Sequence, residues 1–249
     1  MPTILITGCS SGFGLETARC FLGRDWTVVA SMRSPREDML PASEHLRIIP
    51  LDVTDPESIA RAVHAAGPID VLVNNAGVGV LNALEGVSMA SIRQLFETNT
   101  LGAIAMTQAV LPQFRERRSG VVVNVSSAVT IMPLPLLSVY TASKAAVNAF
   151  TESLALELEA FNVRVRLVIP GRAPDTRFGE NAQHLMGEGF PEPYAALAQQ
   201  IFAGMQQSSD VTRAQDVAEA VWLAVNDPAS PMRLFAGADA VAMAASVQK

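Results

Sequence analysis

Tyr140 and Lys144, four residues apart, are the first side chains in this sequence whose types and spacing suggest chemistry. The residues that follow keep a helical apolar rhythm (Val147, Phe150, Leu154, Leu158), so the two side chains fall on one helix face, one above the other. An ammonium beside a phenol favours the phenolate and draws its pKa down from about 10 toward neutrality, where a general acid or base works best. Upstream, residues 120–127 read as a buried strand that ends in two hydroxyls, Ser126 and Ser127. In open α/β sheets, ligands bind beyond the carboxyl ends of such strands. Tyrosine four before lysine is also frequent on ordinary amphipathic helices, so the surrounding elements have to decide.

They begin with a short strand, Ile4 to Ile6, and a turn holding Gly8, Gly12 and Gly14 that opens into the helical pattern of Leu15, Ala18, Phe21 and Leu22. Strand, glycine turn and helix form a nucleotide-binding unit, because glycines let the backbone approach a pyrophosphate at the positive helix N-terminus. The spacing is G-x-x-x-G-x-G and not G-x-G-x-x-G. A second strand, residues 27–31, is followed by Met32 and Arg33, with no acid before Glu37. A carboxylate there would bind a ribose 2′-hydroxyl, whereas a guanidinium suits a 2′-phosphate, which favours NADP over NAD, with Ser10 and Arg36 assisting.

A third strand, residues 46–51, leads to Asp52 and Val53, and Thr54 or Asp55 caps the helix that Pro56 begins. The apolar run 69–73 reads as a strand buried on both faces and ends in Asn74-Asn75-Ala76-Gly77. Its two amides either pin neighbouring loops or contact a ligand. Residues 88–118 are helical with an interruption at 98–102, where Asn99 is a poor helix former on an apolar-faced helix. Residues 163–169 form another strand, followed by the loop Pro170-Gly171-Arg172-Ala173-Pro174-Asp175-Thr176. Residues 177–207 mix aromatic and methionine side chains with glycine and proline, as a substrate-binding lid over an apolar pocket does, or as an ordinary helix pair packed on the core. A helix over 211–225 capped by Thr212, an edge strand at 232–235 and an alanine-rich tail suited to a subunit contact complete the chain.

Composition narrows the function. The 249 residues are 49% hydrophobic, enough for one large core, and carry a formal charge of −6 with no basic patch for a nucleic acid. No apolar run spans a bilayer, and the N-terminus enters a strand directly without the segments of a secretion signal. Two cysteines, Cys9 and Cys20, are too few for a disulfide framework and fit a reducing cytoplasm. The histidines His45, His64 and His184 are scattered, so no metal site is expected.

Taken in order, Thr7-Gly8-x-x-x-Gly12-x-Gly14, Asp52-Val53, Asn74-Asn75-Ala76-Gly77, Asn99, Ser127 and Tyr140-x-x-x-Lys144 resemble the short-chain dehydrogenase/reductase family across essentially the whole chain. The wording around Cys9, Arg33 and Ser138-Val139-Tyr140 looks most like its NADP-using hydroxysteroid and retinol dehydrogenase branch. The resemblance implies a single α/β domain over 1–249, a doubly wound Rossmann-type fold whose mostly parallel sheet is flanked by helices on both faces. It implies Tyr140 as general acid/base, Ser127 polarising the substrate oxygen (Ser126 being the second choice), Lys144 holding the nicotinamide ribose and Asn99 holding a relay water. Asp52 and Val53 would meet the adenine. Gly8, Ser10, Ser11, Gly12, Phe13, Gly14, Arg33, Asn75, Ala76, Gly77, Pro170 and Gly171 would complete the NADP(H) contacts. The sequence departs from the family after Gly171, where Asp175 stands in the usual threonine position and Thr176 comes one later, so the threonine's role is not carried over. The uncharged loop 128–137 favours an apolar ketone, aldehyde or alcohol. A 3-oxoacyl-carrier-protein reductase and a non-enzymatic NADP-sensing regulator are the alternatives, and a homodimer or homotetramer is expected.

Overall fold

The computed structural model describes residues 1–183, 185–187, 189–207 and 210–247, so His184 lies outside the described residues. Seven strands, β1 (Thr3–Thr7), β2 (Thr27–Met32), β3 (Leu46–Pro50), β4 (Val71–Asn74), β5 (Gly120–Val125), β6 (Val163–Pro170) and β7 (Arg233–Ala236), form one sheet in the order β3-β2-β1-β4-β5-β6-β7. Every pairing is parallel. Parallel neighbours require crossover helices, and these coat both faces. The helices are α1 (Gly12–Leu22), α2 (Pro56–Ala66), α3 (Met89–Phe96), α4 (Gly102–Arg117), α5 (Ser138–Leu158), α6 (Phe178–Gln183), α7 (Ala195–Gln207), α8 (Ala214–Asn226) and α9 (Ala238–Val247). The fold is a single Rossmann-like domain.

The period-two alternation of a strand sorts the core into two layers. Ile4, Ile6, Val28, Ala30, Val71, Val73, Val121 and Val123 pack with Phe21 of α1 and Val217 and Val221 of α8. Leu5, Val29, Leu72 and Val122 point the other way, against Ile59 of α2, Met106, Val110 and Phe114 of α4, and Leu154 of α5. All six residues of β5 are buried, as its unbroken apolar run requires. The sheet order reverses between β1 and β4, which opens a crevice at their carboxyl ends.

Local signals explain the element ends. Asp55, not Thr54, caps α2, its carboxylate accepting from the Glu57 N–H at 2.9 Å with Pro56 at the first position. Ser88 caps α3 through the Ser91 N–H at 3.0 Å. The interruption around Asn99 is a π-helical turn, Glu97–Leu101, joining α3 to α4. Thr212 does not cap α8. Arg213 occupies that place, with the Asp216 carboxylate accepting its N–H at 2.8 Å. Thr212 is drawn instead into the buried cluster beside Gly171, where its hydroxyl meets a carboxylate. The tail after Gly237 is the helix α9, with Asp239, Ala240 and Ala244 buried.

Candidate active site

Two loops and one helix face converge at the end of β5. Tyr140, Ser143 and Lys144 are all buried on α5, the one-turn spacing having placed them as their sequence separation demands. Ser127, the second residue after β5, hydrogen-bonds the Tyr140 phenol. Ser126 turns away and its Oγ donates to Asn148 Oδ1 at 2.5 Å, so of the two hydroxyls Ser127 is the one that meets the phenol. Asn148, one turn beyond Lys144, donates in turn to Thr130 Oγ1 at 2.9 Å, and Thr130 donates to the Ser127 carbonyl at 2.8 Å. The helix carrying the tyrosine is thereby tied to the loop carrying the serine. Asn148 and Thr130 carried no distinguishing sequence signal beyond their distance from Lys144 and Ser127.

The electrostatics differ from the sequence expectation. Burial pushes the Tyr140 phenol up to about 12, with the Ser127 hydrogen bond working in the opposite direction. Lys144 does not lower it. Its Nζ donates to the Val125 carbonyl at 2.9 Å, and burial pushes the ammonium down to about 8. The helix spacing brings the pair onto one face, but the ammonium is engaged by the end of β5. A neutral phenol is therefore the resident form of Tyr140 at neutral pH.

Asn99 reaches the site from the π turn. Its Oδ1 accepts from the Val78 N–H at 2.8 Å, and its Nδ2 donates to the Val78 carbonyl at 2.9 Å and to Ser143 Oγ at 3.1 Å. The side chain thus clamps the loop after β4 to α5. A methyl on Gly77 would lie 3.2 Å from Asn99 Oδ1 and 3.5 Å from Lys144 Nζ, so this loop passes directly over both polar groups. Asn74 is buried in a side-chain network, donating to Asn124 Oδ1 at 2.8 Å and Thr107 Oγ1 at 2.9 Å. Asn75 donates to the carbonyls of Thr7 and Gly8 at 2.9 and 3.1 Å. Asn75 thus pins the glycine turn, whereas Asn74 ties β4 to β5 and α4, and the Thr7 hydroxyl accepts the N–H groups of Asn75 and Ala76.

The glycine turn has the shape a dinucleotide needs. Gly8 and Gly12 have φ of +76° and +57°, left-handed values that strain other residues. A methyl on Gly14 would stand 2.4 Å from both the Gly8 carbonyl and Asn75 Nδ2. Ser10, Ser11 and Phe13 follow this folded turn to the start of α1, where Ser11 is extended and makes no side-chain cap, leaving the amides of the first turn directed outward. Arg33 is exposed just past β2. Asp52, after β3, is raised by burial but held below its ordinary pKa by the Thr54 N–H and hydroxyl, at 2.9 and 2.8 Å, and by the charge of Arg33. Val53 is buried beneath it and packs against Gly102. Arg36, in contrast, is committed to an ion pair with Asp38 at 2.7 Å. A glycine cradle at a helix N-terminus, an exposed guanidinium after the second strand and a carboxylate after the third form a set that fits a nicotinamide dinucleotide.

The loop after β6 closes the far side. The Gly171 N–H donates to Thr212 Oγ1 at 2.8 Å and the Arg172 N–H to Asp239 Oδ2 at 2.6 Å. A methyl on Gly171 would collide with the Asp239 carboxylate at 2.1 Å, which accounts for the glycine after Pro170. Thr176 then lies against the nucleotide turn, 3.3 Å from where a Gly12 methyl would be. No cluster of metal-ligating side chains occurs among the described residues, nor is any helix among them long and apolar enough to cross a membrane.

Residues 2–185 match the family model described as short chain dehydrogenase. Retinol dehydrogenase 8 of Bos taurus is 35% identical over 255 residues, covering 93% of this chain and 80% of its own. A short-chain dehydrogenase structure from Streptomyces avermitilis is 35% identical, with a TM-score of 0.82 over 98% of this chain and 91% of its own. A closed serine dehydrogenase complexed with NADP+ is 29% identical (TM-score 0.80, 94% of each chain). A 3-ketoacyl-(acyl-carrier-protein) reductase from Brucella melitensis complexed with NADH is 26% identical (TM-score 0.77, 94% and 96%). With its fold, its glycine turn and its buried Ser127–Tyr140–Lys144 cluster, the chain belongs to the short-chain dehydrogenase family, in its retinol and hydroxysteroid dehydrogenase branch, and is an oxidoreductase of CH–OH and C=O groups that uses a nicotinamide cofactor.

Proposed function

We propose that this protein is an NADP(H)-dependent oxidoreductase that interconverts an apolar ketone or aldehyde and its alcohol, with Tyr140 as the proton donor and acceptor. The observation that carries the reading is the buried Tyr140 phenol hydrogen-bonded to Ser127, one helical turn from Lys144. A nicotinamide cofactor held by the glycine turn and Lys144 would supply or accept the hydride. Tyr140, neutral at working pH, hands its proton to the carbonyl oxygen as negative charge develops there. The Ser127 hydroxyl donates to the same oxygen and stabilises that charge. Lys144 holds the cofactor ribose. The Asn99 side chain is fully engaged with Val78 and Ser143. A relay water between Asn99 and Lys144 would therefore have to be held by the main chain of the π turn and not by the Asn99 amide.

Arg33 favours NADP(H), being an exposed cation where a 2′-phosphate would lie, whereas Arg36 is paired and gives no such support. Gly8, Ser10, Ser11, Gly12, Phe13 and Gly14 hold the pyrophosphate, Asp52 and Val53 the adenine, and Asn75, Ala76, Gly77, Pro170 and Gly171 the remainder. The segment 177–207 acts as the lid. Its Phe190, Tyr194, Leu197, Ala198 and Ile201 pack with Ala83 and Leu136 in one apolar cluster, and an apolar segment of this kind suits an apolar substrate. The similarity to retinol dehydrogenase 8 agrees with that preference. A carrier-protein reductase would want a basic mouth, and Arg177 at the lid is paired with Glu180 at 3.2 Å. A nucleotide-sensing regulator would have no use for the intact cluster. The exposed Leu101 and Leu156, 48% and 72% accessible beside α4 and on α5, support a homodimer or homotetramer built on those helices. Two unpaired cysteines support a cytoplasmic setting.

The test is NADPH oxidation against a panel of apolar ketones and aldehydes, with NADH in parallel and Tyr140→Phe as control. NADPH-preferring turnover abolished by Tyr140→Phe is expected. Tight NADPH binding without turnover on any compound would move the assignment to the regulator, and a preference for NADH would remove the role given to Arg33.

A further inference from the structure

Phe178, the first residue of α6, places its ring centroid 5.6 Å from that of Tyr140 at an interplanar angle of 60°. The same ring lies over Gly79, where a methyl group would meet Phe178 Cε1 at 2.7 Å and Cζ at 2.8 Å, and Ala182 Cβ at 3.5 Å. Two residues earlier Thr176 rests on Gly12, and its Oγ1 accepts the Phe178 N–H at 3.4 Å. One short stretch therefore touches the nucleotide turn and the tyrosine together. Phe178 is nevertheless 38% exposed, whereas Tyr140 is 7% exposed. The phenylalanine is a wall with one face in solvent, and the tyrosine is what it covers.

We propose that Phe178 is a specificity-determining residue: held between Tyr140 and Gly79, its ring forms the wall that discriminates against bulky carbonyl substrates. The missing side chain at residue 79 is the other half of the device, because any Cβ there excludes the ring from its seat. Two substitutions at separate places in the chain should then have one effect. Phe178→Ala removes the ring and Gly79→Ala displaces it, since the clashing atoms belong to a side chain that can swing outward.

The inference rests on the carbonyl/alcohol reading, and its test uses two measurements so that the two can fail separately. The first is kcat/KM with NADPH for a bicyclic ketone and a small linear ketone, in wild type, Phe178→Ala, Gly79→Ala and the double variant, each checked for folding by thermal melting. Each single variant should raise the bulky-to-small ratio by about tenfold or more, the size of effect that steric pockets exert. The double variant should add little to either. An unchanged ratio in Phe178→Ala, or single effects that multiply in the double variant, would overturn the proposal. The second measurement needs neither cofactor nor turnover. Tyr140 nitration by tetranitromethane is followed by peptide mass spectrometry, with Tyr194 as the internal reference. Faster nitration of Tyr140 in both single variants supports the wall even if no ketone is turned over, which would overturn only the functional reading. Nitration at the wild-type rate in both would overturn the wall.

Discussion

Replacing Lys144 by methionine should destroy activity and stabilise the protein. Burial lowers the ammonium from its ordinary 10.5 to about 8. A lysine more acidic when folded than when unfolded costs stability wherever both states are protonated, which is below pH 8. The cost is relieved as pH rises from 8 toward 10.5, where the unfolded chain binds the extra proton. The gap between 8 and 10.5 corresponds to about 3 kcal/mol. Methionine is of similar length and removes that cost, but it leaves the Val125 carbonyl without the donor now at 2.9 Å. Losing that bond costs about 1–3 kcal/mol. Lys144→Met should therefore gain up to about 2 kcal/mol at pH 7, read by urea unfolding at fixed protein concentration. The more telling quantity is the pH profile of the difference. Between pH 8 and 10 the variant's advantage should shrink by about 2–3 kcal/mol, because only the wild type recovers its cost. Tyr140, raised to about 12 from 10.0, acts in the opposite sense and only above pH 10, so it stays out of the window. Parallel stability profiles from pH 7 to 10 would show that Lys144 is not held in a desolvated site, and the electrostatics derived for the cluster would be wrong.

Four further outcomes follow from the same geometry. Tyr140→Phe should lower kcat by about 10²–10⁴-fold with little change in cofactor affinity. It should also abolish the fall in stability between pH 10 and 12 that a phenol raised to about 12 produces, as seen in urea titrations across that range. Arg33→Ala should raise KM for NADPH about 10- to 100-fold, the worth of a charge-assisted bond, and leave KM for NADH unaltered; equal loss with both cofactors would mean the guanidinium meets no 2′-phosphate. Gly14→Ala puts a methyl 2.4 Å from the Gly8 carbonyl, so it should cost about 1–3 kcal/mol and abolish NADPH binding in calorimetric titration. Asp239→Ala leaves the N–H groups of Arg172 and Ala240 without their acceptor, at about 2–4 kcal/mol, and should speed proteolytic cleavage in the segment after Gly171. Asp239→Asn, which keeps one acceptor oxygen, should recover most of the protection.

The sheet was legible because each strand is a short apolar run bounded by a turn, and because β4 and β5 are apolar on both faces, as a buried parallel strand must be. Caps were legible only where a single local bond decides. Asp55 caps by reaching a backbone amide two residues on, a bond that sequence spacing specifies. Thr212 has the side chain of a cap but is claimed by Gly171 and Asp239, which are 41 and 27 residues away in the chain, and nothing local announces that competition. The Asn74-Asn75 pair was ambiguous for the same reason. Asn74 meets Asn124 only because β4 and β5 pair in a register that sets the two residues side by side.

The site divides along the same line. Positions of the proposed catalytic groups follow from spacing, since the helix carries Tyr140 and Lys144 to one face whatever surrounds them. Their acidities do not, because a pKa is set by burial and partners contributed from elsewhere. Spacing alone makes Lys144 the agent that acidifies Tyr140. The fold instead points the ammonium at the Val125 carbonyl, buries both groups, and leaves Ser127 as the hydrogen-bond partner of the phenol. The distinction bears on direction of reaction. If Tyr140 is the proton donor proposed above, a phenol that stays protonated at neutral pH is ready to donate to a carbonyl, and oxidation of an alcohol requires the phenol first to be made a base. The rate of alcohol oxidation should therefore rise with pH well above neutrality, while carbonyl reduction stays level over the same range. A pH profile of kcat/KM in both directions decides it, and a reduction rate that fell between pH 7 and 9 would show that the phenol is far more acidic than its burial implies.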